Sequence, residues 1–370
     1  MFDNVFKNKA VLVTGHTGFK GSWLCIWLKE LGANVVGYAL EPYTKRDNFV
    51  VTGLKDKIVN IIGDIRDFYK LSCVFEEYQP EFVFHLAAQP IVRESYINPK
   101  ETYDINVGGT VNILECCRLN NSVKIIINVT SDKCYENIEQ LRGYREGDSL
   151  GGYDPYSSSK SCSELVTSGY RNSFFNLNDS EEHRKNLSSV RAGNVIGGGD
   201  WQKARIIPDC IRALESNKAV EVRNPHAVRP WQHVLESLGG YLLLASKMHE
   251  KPGKFCGAWN FGPNDDSVVS VGKITEMVTF YWGSGSWSDV SGKNEPHEAK
   301  LLSLDITKAK SYLNWHPAWN IEKAIEATVD WYRNYRHANA YKVCLSQIEE
   351  YCEDFSAVRW KGKRPVRPLA

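Results

Sequence analysis

The chain of 370 residues is 42% hydrophobic and 24% charged, with 45 Lys and Arg against 44 Asp and Glu. A formal net charge of +1 excludes a whole-molecule field that would favour nucleic acid, a membrane surface or another polyanion, so a bound anion needs a local site. This length predicts a compact protein with a large core, in about two domains.

The amino-terminal segment lacks a basic region followed by a long apolar stretch, and no apolar run reaches the roughly eighteen residues of a membrane span. We therefore expect a cytoplasmic protein with no membrane partner. The cysteines form no Cys-x-x-Cys spacing and the histidines form no pair with ligand spacing. We expect reduced thiols and no metal site.

Short β-branched apolar runs alternate with segments of helical length from residue 10 to about residue 195. Such runs are typical of parallel strands buried on both faces, and their alternation with helices predicts right-handed crossovers. We therefore predict an α/β fold, a Rossmann-type doubly wound parallel sheet with a smaller mixed α/β substrate-binding lobe. The predicted strands span 10–14, 34–40, 57–63, 81–88, 123–130 and 187–195.

The first predicted strand runs directly into TGHTGFKG and then into a predicted helix, 19–32. Gly15, Gly18 and Gly21 would allow a tight turn, close approach of a pyrophosphate and close helix packing, with the helix N-terminus facing the anion. This context predicts a dinucleotide site. His16 and Lys20, inside the loop, could reach a phosphate or point to solvent.

The second predicted strand leads into Glu41, which could hold the hydroxyls of an adenosine ribose. An acid at this place disfavours a 2′-phosphate and so favours NAD over NADP, although Lys45 and Arg46 nearby argue the other way.

The spacing Gly-x-x-Gly-x-x-Gly resembles the short-chain dehydrogenase/reductase superfamily, and HLAAQP (85–90) and INVGGT (105–110) are similar to two further segments of that superfamily. The resemblance places Asp64 near the adenine amine and Gln89 near the substrate. It implies additional cofactor contacts at Phe19, Ile65, Leu86, Ala87, Ala88 and Asn106.

Two tyrosines and one lysine lie in YDPYSSSK, residues 153–160. Tyr156 and Lys160 are four residues apart and share a helix face, whereas Tyr153 precedes Pro155 and belongs to the preceding loop. A lysine ammonium beside a phenol stabilises the phenolate, so Lys160 should lower the pKa of Tyr156 from about 10. Both residues should also contact the cofactor. Tyr156 is the candidate base for a sugar hydroxyl.

The segment VTSDKCY, residues 129–135, follows the fifth predicted strand. Thr130 or Ser131 could contact the reacting hydroxyl. Asp132 and Lys133 stand where nucleotide-sugar 4,6-dehydratases carry Asp-Glu, and the lysine resembles the CDP-glucose branch of that group. Longer similar runs are 143–166, 191–201 and 228–242.

The resemblance implies C4 oxidation of CDP-glucose at Ser131, Tyr156 and Lys160, and then loss of water across C5 and C6. Lys133 would remove the C5 proton and Asp132 would protonate the leaving hydroxyl. These two roles conflict. A base requires a neutral lysine and an acid requires a protonated carboxyl, whereas two adjacent groups of opposite charge favour the ammonium and the carboxylate.

Three residues further along are candidates for the substrate pyrophosphate. Asn194 and Arg229 match positions that hold it in similar enzymes, and Arg205 is a second arginine candidate or a solvated surface residue. The resemblance further implies a homodimer or dimer of dimers through helices 101–119 and 156–175, and a product used for dideoxyhexoses of a surface polysaccharide such as O-antigen.

We assign residues 1–193, with about 229–259, to an NAD-binding domain, and 194–228 with 260–358 to the substrate lobe. The last predicted helix spans 321–336, and the basic residues 359–370 should form a mobile tail. Two functional alternatives stay open: another nucleotide-sugar dehydratase, epimerase or reductase of the same fold, and an NAD-sensing regulator without chemistry, which the intact Tyr-Lys pair disfavours.

Overall fold

The computed structural model describes residues 2–176, 185–292 and 302–361. Within them, seven strands form a parallel sheet in the order β10-β6-β5-β4-β1-β2-β3. The bounds are β1 Ala10–Thr14, β2 Asn34–Ala39, β3 Val59–Ile62, β4 Phe82–His85, β5 Ile125–Val129, β6 Asn186–Ala192, β7 Asn194–Ile196, β8 Val220–Val222, β9 Val228–His233, β10 Gly257–Phe261, β11 Val268–Ser270 and β12 Trp287–Asp289.

The sheet forms because its central strands are buried on both faces. All residues of β4, β5 and β6 are buried, and β1 lies between β2 and β4 with Val11 opposite Val35 on one side and Phe82 on the other. Two hydrophobic clusters cover its two faces. The predicted Rossmann-type doubly wound sheet is confirmed.

Helices flank the sheet and also build the smaller lobe. Helices α3, α6 and α7 pack together on one face, whereas α1, α9 and α12 pack together on the other. The bounds are α1 Phe19–Glu30, α2 Asn48–Val51, α3 Phe68–Tyr78, α4 Val92–Ile97, α5 Pro99–Tyr103, α6 Gly109–Leu119, α7 Pro155–Ser173, α8 Ile206–Glu215, α9 Val234–Glu250, α10 Val271–Trp282, α11 Ile321–Asn334 and α12 Ala340–Lys361.

Two small sheets lie outside the large one. Strand β9 pairs with β7 in parallel and with β11 in antiparallel orientation, while β8 pairs with β12. The chain therefore leaves the large sheet after β6 and returns to it at β10, which pairs with β6. The proposed division into a nucleotide-binding domain and a lobe stays a prediction.

The carboxyl-terminal region differs from the sequence prediction. Helix α12 follows the helix that we expected to be the last one, and it includes Arg359 and Trp360, which were assigned to the tail. The helix forms because Cys344, Ile348, Tyr351 and other residues on one face are buried. It packs on α1 and α2. Residues 362–370 of the predicted tail lie outside the described residues.

The predicted helix 101–119 is also interrupted. Helix α5 passes into one π-helical turn, Asp104–Gly108, before α6 begins. Such a turn shifts the face that the following residues present, and here it contains the buried Asn106. No helix in the described part of the chain is long and apolar enough to cross a bilayer.

Candidate active site

The glycine loop between β1 and α1 lies against the loop that follows β4. Gly15 has a φ of +76°, and a Cβ added to it would lie 2.8 Å from the backbone nitrogen of Ala87. A Cβ on Gly21 would lie 2.1 Å from the carbonyl oxygen of Gly15. Gly18 precedes the first residue of α1. The loop is therefore as tight as a phosphate-binding turn requires, and the α1 N-terminus faces the cleft.

The cleft has a volume of about 1240 Å³ and lies at the carboxyl ends of the parallel strands. Most of the predicted catalytic and substrate residues, and much of the glycine loop, meet at its wall. The predicted site residues that line it are Gly15, Gly18, Phe19, Lys20, Gly21, Leu86, Ser131, Asp132, Lys133, Tyr156, Lys160, Asn194, Arg205 and Arg229.

His16 does not behave as expected. Its side chain is fully buried, its Nε2 atom lies 2.6 Å from Oδ1 of Asn60, and its ring packs edge-on against Phe49. The imidazole fits here because the neighbouring residue on β2 is glycine. A Cβ on Gly37 would lie 2.3 Å from the imidazole. Burial lowers the pKa of His16. The expectation that this side chain reaches a phosphate or solvent is wrong.

Lys20 points into the cleft among other cations. Burial, together with the nearby charges of Arg205, Lys160 and Lys133, lowers its pKa to about 7, whereas Asp132 opposes this shift. Four basic side chains that converge on one wall form a site for an anion with more than one charge. The sequence predicted these residues separately, and the fold brings them together.

Two predicted adenosine contacts lie elsewhere. Asp64 is bound by the guanidinium of Arg66, whose NH2 atom lies 2.6 Å from its Oδ2 atom, and this hydrogen bonding holds the pKa of the Asp64 carboxyl below its usual value. Ile65 is buried, close to the position that a Cβ on Gly109 would occupy. Neither residue is part of the cleft wall as the structure describes it.

Gln89 and Asn106 brace the loop after β4. The Gln89 side chain donates to Thr102 Oγ1 at 2.9 Å and accepts from the backbone nitrogen of Ile91 at 2.5 Å. Asn106 accepts from the backbone nitrogen of Gln89 at 2.8 Å and donates to Ser159 Oγ at 2.8 Å. The Gln89 side chain therefore supports the loop, and Gln89 is not part of the cleft wall as the structure describes it. Ala87 and Ala88 belong to this braced loop.

Tyr156 and Lys160 occupy the first turns of α7. The helix begins at Pro155, and Asp154 caps it by accepting a hydrogen bond from the backbone nitrogen of Ser157 at 2.9 Å. Tyr156 and Lys160 are both buried, and Lys160 Nζ lies 3.5 Å from the carbonyl oxygen of Val129. Burial lowers the pKa of Lys160 to about 8.

The electrostatics of Tyr156 differ from the sequence prediction. Burial raises its pKa above 10, while the charge of Lys133 and a hydrogen bond with Ser131 lower it. Asp132 raises it and Arg205 lowers it. The net shift is therefore upward rather than the expected lowering, because burial outweighs the nearby charges, and the lysine that lowers the pKa of the phenol here is Lys133.

Asp132 and Lys133 lie in a short 3-10 turn at the end of β5. Asp132 is buried, and its Oδ1 atom accepts from Ser131 Oγ at 3.1 Å and from Lys133 Nζ at 3.5 Å. Its Oδ2 atom has no hydrogen-bond partner among the described residues. The carboxylate thus has one oxygen held by hydrogen bonds and one that is buried without a partner among the described residues.

A buried polar network beneath the site was not predicted. Glu164, one turn after Lys160, accepts from Arg191 Nε at 3.0 Å and from Arg191 NH2 at 2.8 Å. Arg191 NH1 donates to Tyr135 Oη at 2.7 Å, and this hydroxyl donates to Asn260 Oδ1 at 2.7 Å. A glutamate four residues after Lys160, on the same helix face, is the sequence signal that could have indicated it.

The predicted substrate residues line the far side of the cleft. Oδ1 of Asn194 is buried without a hydrogen-bond partner among the described residues. Arg205 NH1 lies 2.7 Å from Oδ2 of Asp200, and Arg229 NH1 donates to the carbonyl oxygen of Val228 at 2.9 Å. Sequence reasoning missed the neighbouring wall residues Glu221, Arg223 and Asn224.

The sheet order, the glycine loop and the Tyr-Lys pair define a Rossmann-fold protein of the short-chain dehydrogenase/reductase type. The chain belongs to the family described as GDP-mannose 4,6 dehydratase, whose model matches residues 12–328.

Named relatives have related chemistry. The chain is 49% identical to a CDP-glucose 4,6-dehydratase from Salmonella typhimurium, over 94% of this chain and 97% of that protein. It is 25% identical to a CDP-paratose 2-epimerase from Salmonella typhi, over 87% and 98% of the two chains.

Solved structures share the fold. An epimerase from Methanothermobacter thermautotrophicus matches with a TM-score of 0.75 at 22% identity, over 93% of this chain and 96% of that one. A dTDP-glucose 4,6-dehydratase from Bacillus anthracis, in complex with NAD, matches with a TM-score of 0.72 at 20% identity, over 91% and 99%.

Proposed function

We propose that this chain converts CDP-D-glucose to CDP-4-keto-6-deoxy-D-glucose, as an NAD-dependent nucleotide-sugar 4,6-dehydratase. The observation that carries the proposal is the placement of Asp132 and Lys133 on the same cleft wall as Tyr156, since an acid-base pair beside an oxidising tyrosine is what elimination of water requires. The relative with 49% identity carries the corresponding name.

The residues present fit NAD. The glycine loop has no room for side chains at Gly15 and Gly21, and Lys20 stands beside the α1 N-terminus. These groups would hold the pyrophosphate, and Glu41, which lies on the wall of a smaller cavity beside Gly18, would hold the ribose hydroxyls. When bound, NAD supplies the chemistry of accepting a hydride from C4 and returning it to C6.

Tyr156 would remove the proton from the 4-hydroxyl while Ser131 positions that hydroxyl. The buried phenol needs its pKa lowered for this task, and Lys133 and Ser131 both act in that direction. Lys160, whose ammonium reaches the carbonyl of Val129, would hold a ribose hydroxyl of the cofactor next to the helix.

Lys133 would take the proton from C5, which the 4-keto group acidifies. Asp132 would give a proton to the C6 hydroxyl as it departs as water, and the C6 position then receives the hydride while C5 regains a proton. The 3.5 Å contact between Asp132 and Lys133 must open for both roles, and a C6 hydroxyl inserted between them would do this. Substrate binding would therefore complete the acid-base arrangement.

Asn194, Arg205 and Arg229 would bind the diphosphate of the sugar nucleotide. The paired donors of arginine suit phosphate oxygens, and Arg205 already lies beside the catalytic cations. The proposed preference for a cytosine nucleotide rests on the name of the relative with 49% identity, and not on a contact with the base. The product would serve the synthesis of dideoxyhexoses for a surface polysaccharide.

A homodimer, or a dimer of dimers, would form through α6 and α7. Both helices carry large apolar side chains at the surface, including Val111, Leu119 and Leu165, and Phe174 directly after α7 is also exposed. A pair of adjacent helices with exposed apolar residues is suited to pairing with the same two helices of a second copy.

The test uses CDP-glucose deuterated at C4, incubated with the protein and NAD. Deuterium at C6 of a 4-keto-6-deoxy product is the expected result. C4 inversion with the C6 hydroxyl retained would instead indicate an epimerase, net formation of NADH would indicate a reductase running in reverse, and an unchanged sugar would leave only the binding of NAD and favour a regulator.

A further inference from the structure

A small cavity of about 110 Å³ adjoins the cleft at the glycine loop, and acidic side chains dominate its charge. Thr17, Gly18 and Phe19 line one side, and the charged residues described on its wall are the three carboxylates of Glu41, Asp47 and Asp200. On the proposed function, this is where the adenosine ribose of NAD would lie. Arg205 pairs with Asp200 at 2.7 Å, so a 2′-phosphate would meet the negative charge of Glu41 and Asp47 there.

Arg46 is the cation that could compensate this charge, but the structure holds it outside the cavity. Its chain neighbours Tyr43 and Asp47 both belong to the wall. The Arg46 guanidinium instead lies 3.5 Å from the ring centre of Trp201, which lines the cavity, and Arg46 itself is not part of the described wall.

Two elements of the other lobe hold the guanidinium in this place. Glu215 at the end of α8 accepts from Arg46 NH2 with both carboxylate oxygens, at 2.6 Å each. Tyr335, immediately after α11, accepts from Arg46 Nε at 3.0 Å and from NH2 at 2.8 Å. Nε and NH2, which together can form a fork on a phosphate, are thus both engaged.

We propose that Glu215 and Tyr335 determine the preference for NAD over NADP by sequestering Arg46 away from the ribose cavity. This inference rests on the proposed function, because it concerns the same cofactor. It goes further in assigning specificity to residues of α8 and α11, which do not line the cavity in the described structure. Arg46 determines cofactor specificity indirectly, because its contacts with Glu215 and Tyr335 keep its guanidinium out of the ribose cavity.

The test measures equilibrium dissociation constants of NAD⁺ and NADP⁺ by calorimetric titration, without substrate. Glu215→Ala should lower the ratio of the NADP⁺ to the NAD⁺ constant about tenfold, which is the effect of about 1.4 kcal/mol from one charge-assisted hydrogen bond. Tyr335→Phe should change the ratio in the same direction by less.

The double variant Arg46→Ala, Glu215→Ala should return the ratio to the wild-type value or above, because the freed guanidinium is gone. Arg336→Ala is the matched control. Arg336 also contacts both holding groups, with Glu215 at 3.1 Å and Tyr335 Oη at 2.7 Å. Its side chain is exposed and its loss leaves the contacts of Arg46 in place, so the ratio should stay unchanged.

An unchanged ratio in both Glu215→Ala and Tyr335→Phe, with NAD⁺ still bound at the wild-type constant, would overturn the inference alone. A lowered ratio that persists in the double variant would also overturn it, since the gain would not come from Arg46. Failure of the wild-type protein to bind NAD⁺ would instead overturn the proposed cofactor.

Discussion

Glu164 and Arg191 form a buried ion pair directly beneath the reaction centre, joined by two hydrogen bonds of 3.0 and 2.8 Å. The pair connects α7, which carries Tyr156 and Lys160, to β6. Ser189 also donates to Glu164, at 2.7 Å. Burial alone would raise the pKa of the Glu164 carboxyl, but the hydrogen bonds that it accepts and the charge of Arg191 lower it overall. The carboxylate therefore keeps its negative charge.

Breaking this pair should destabilise the protein strongly. Arg191→Met leaves the Glu164 carboxylate buried without its cation, so we expect the free energy of unfolding to fall by about 3–5 kcal/mol. Urea denaturation followed by circular dichroism measures it. The control is Arg142→Met, which removes a solvent-exposed pair with Asp148 and should lower the free energy of unfolding much less. Equal losses in both variants would contradict the role of burial.

Lys160 should make stability depend on pH. Its folded pKa of about 8 lies below its ordinary value of 10.5, so between these two values the unfolded chain binds more protons and stability rises with pH. Below pH 8 Lys160 is protonated in both states, so burial of the ammonium lowers the free energy of unfolding by its full amount. Lys160→Met should therefore be more stable than wild type at pH 7, by roughly 3 kcal/mol, and the difference should shrink towards pH 10.

Urea denaturation at pH 7, 8, 9 and 10 measures this difference. The control is Lys100→Met, which removes a lysine whose side chain is 87% exposed. Its difference from wild type should stay within about 0.5 kcal/mol at each pH. A constant difference for Lys160→Met across the series would show that the ammonium does not lose its proton in this range.

Ser131 should set the pH at which Tyr156 becomes active. The phenol acts as a base only after it loses its proton, and the hydrogen bond with Ser131 lowers its pKa. Ser131→Ala should therefore move the rising limb of the oxidation rate to higher pH, as measured by single-turnover absorbance at 340 nm. Tyr156→Phe should lower the rate by about 10²–10⁴ and remove the limb. An unshifted limb would refute this coupling.

Lys133→Met should separate oxidation from elimination. Without the amine, exchange of the C5 hydrogen with deuterated solvent should fall by about 10²–10⁴, while the 4-keto sugar still forms, more slowly because Tyr156 loses a cation that lowers its pKa. Nuclear magnetic resonance of the recovered sugar measures the exchange. Normal exchange in this variant would remove Lys133 as the C5 base.

A charged residue on α7 should disrupt the proposed dimer. Leu165 is 60% exposed on that helix, and Leu165→Glu should halve the mass measured by light scattering. Leu141→Glu changes a side chain that is 94% exposed in a loop outside both helices, and it should leave the mass unchanged. A wild-type monomer, or a dimer that survives Leu165→Glu, would exclude this interface.

The sheet could be predicted from sequence because local rules and tertiary burial agree there. Runs such as IIINV in β5 have β propensity and also fill a two-sided core. Side-chain direction could not be predicted, because it depends on distant neighbours. His16 turns inward because Gly37 and Asn60 on other strands make room and supply a partner.

The last helix was missed for a related reason. The buried residues of α12 recur at helical spacing, but the many charged residues in this segment make the apolar periodicity weak in the sequence. The buried face becomes evident only from its packing on α1 and α2. The role of Lys133 on the phenol was likewise invisible, since it depends on how β5 and α7 converge and not on residue spacing.

That helix has a consequence for the order in which the protein is made. The segment around Asn48, next to Asp47 on the wall of the small cavity, is synthesised early. Cys344 of α12 nevertheless contacts the Asn48 amide, with a sulfur-to-oxygen distance of 3.3 Å, and Tyr351 packs on Trp27 of α1. A chain still attached to the ribosome lacks this support. These contacts with Asn48 and Trp27 can therefore form only after residues 340–351 have been synthesised, long after the strands that they support.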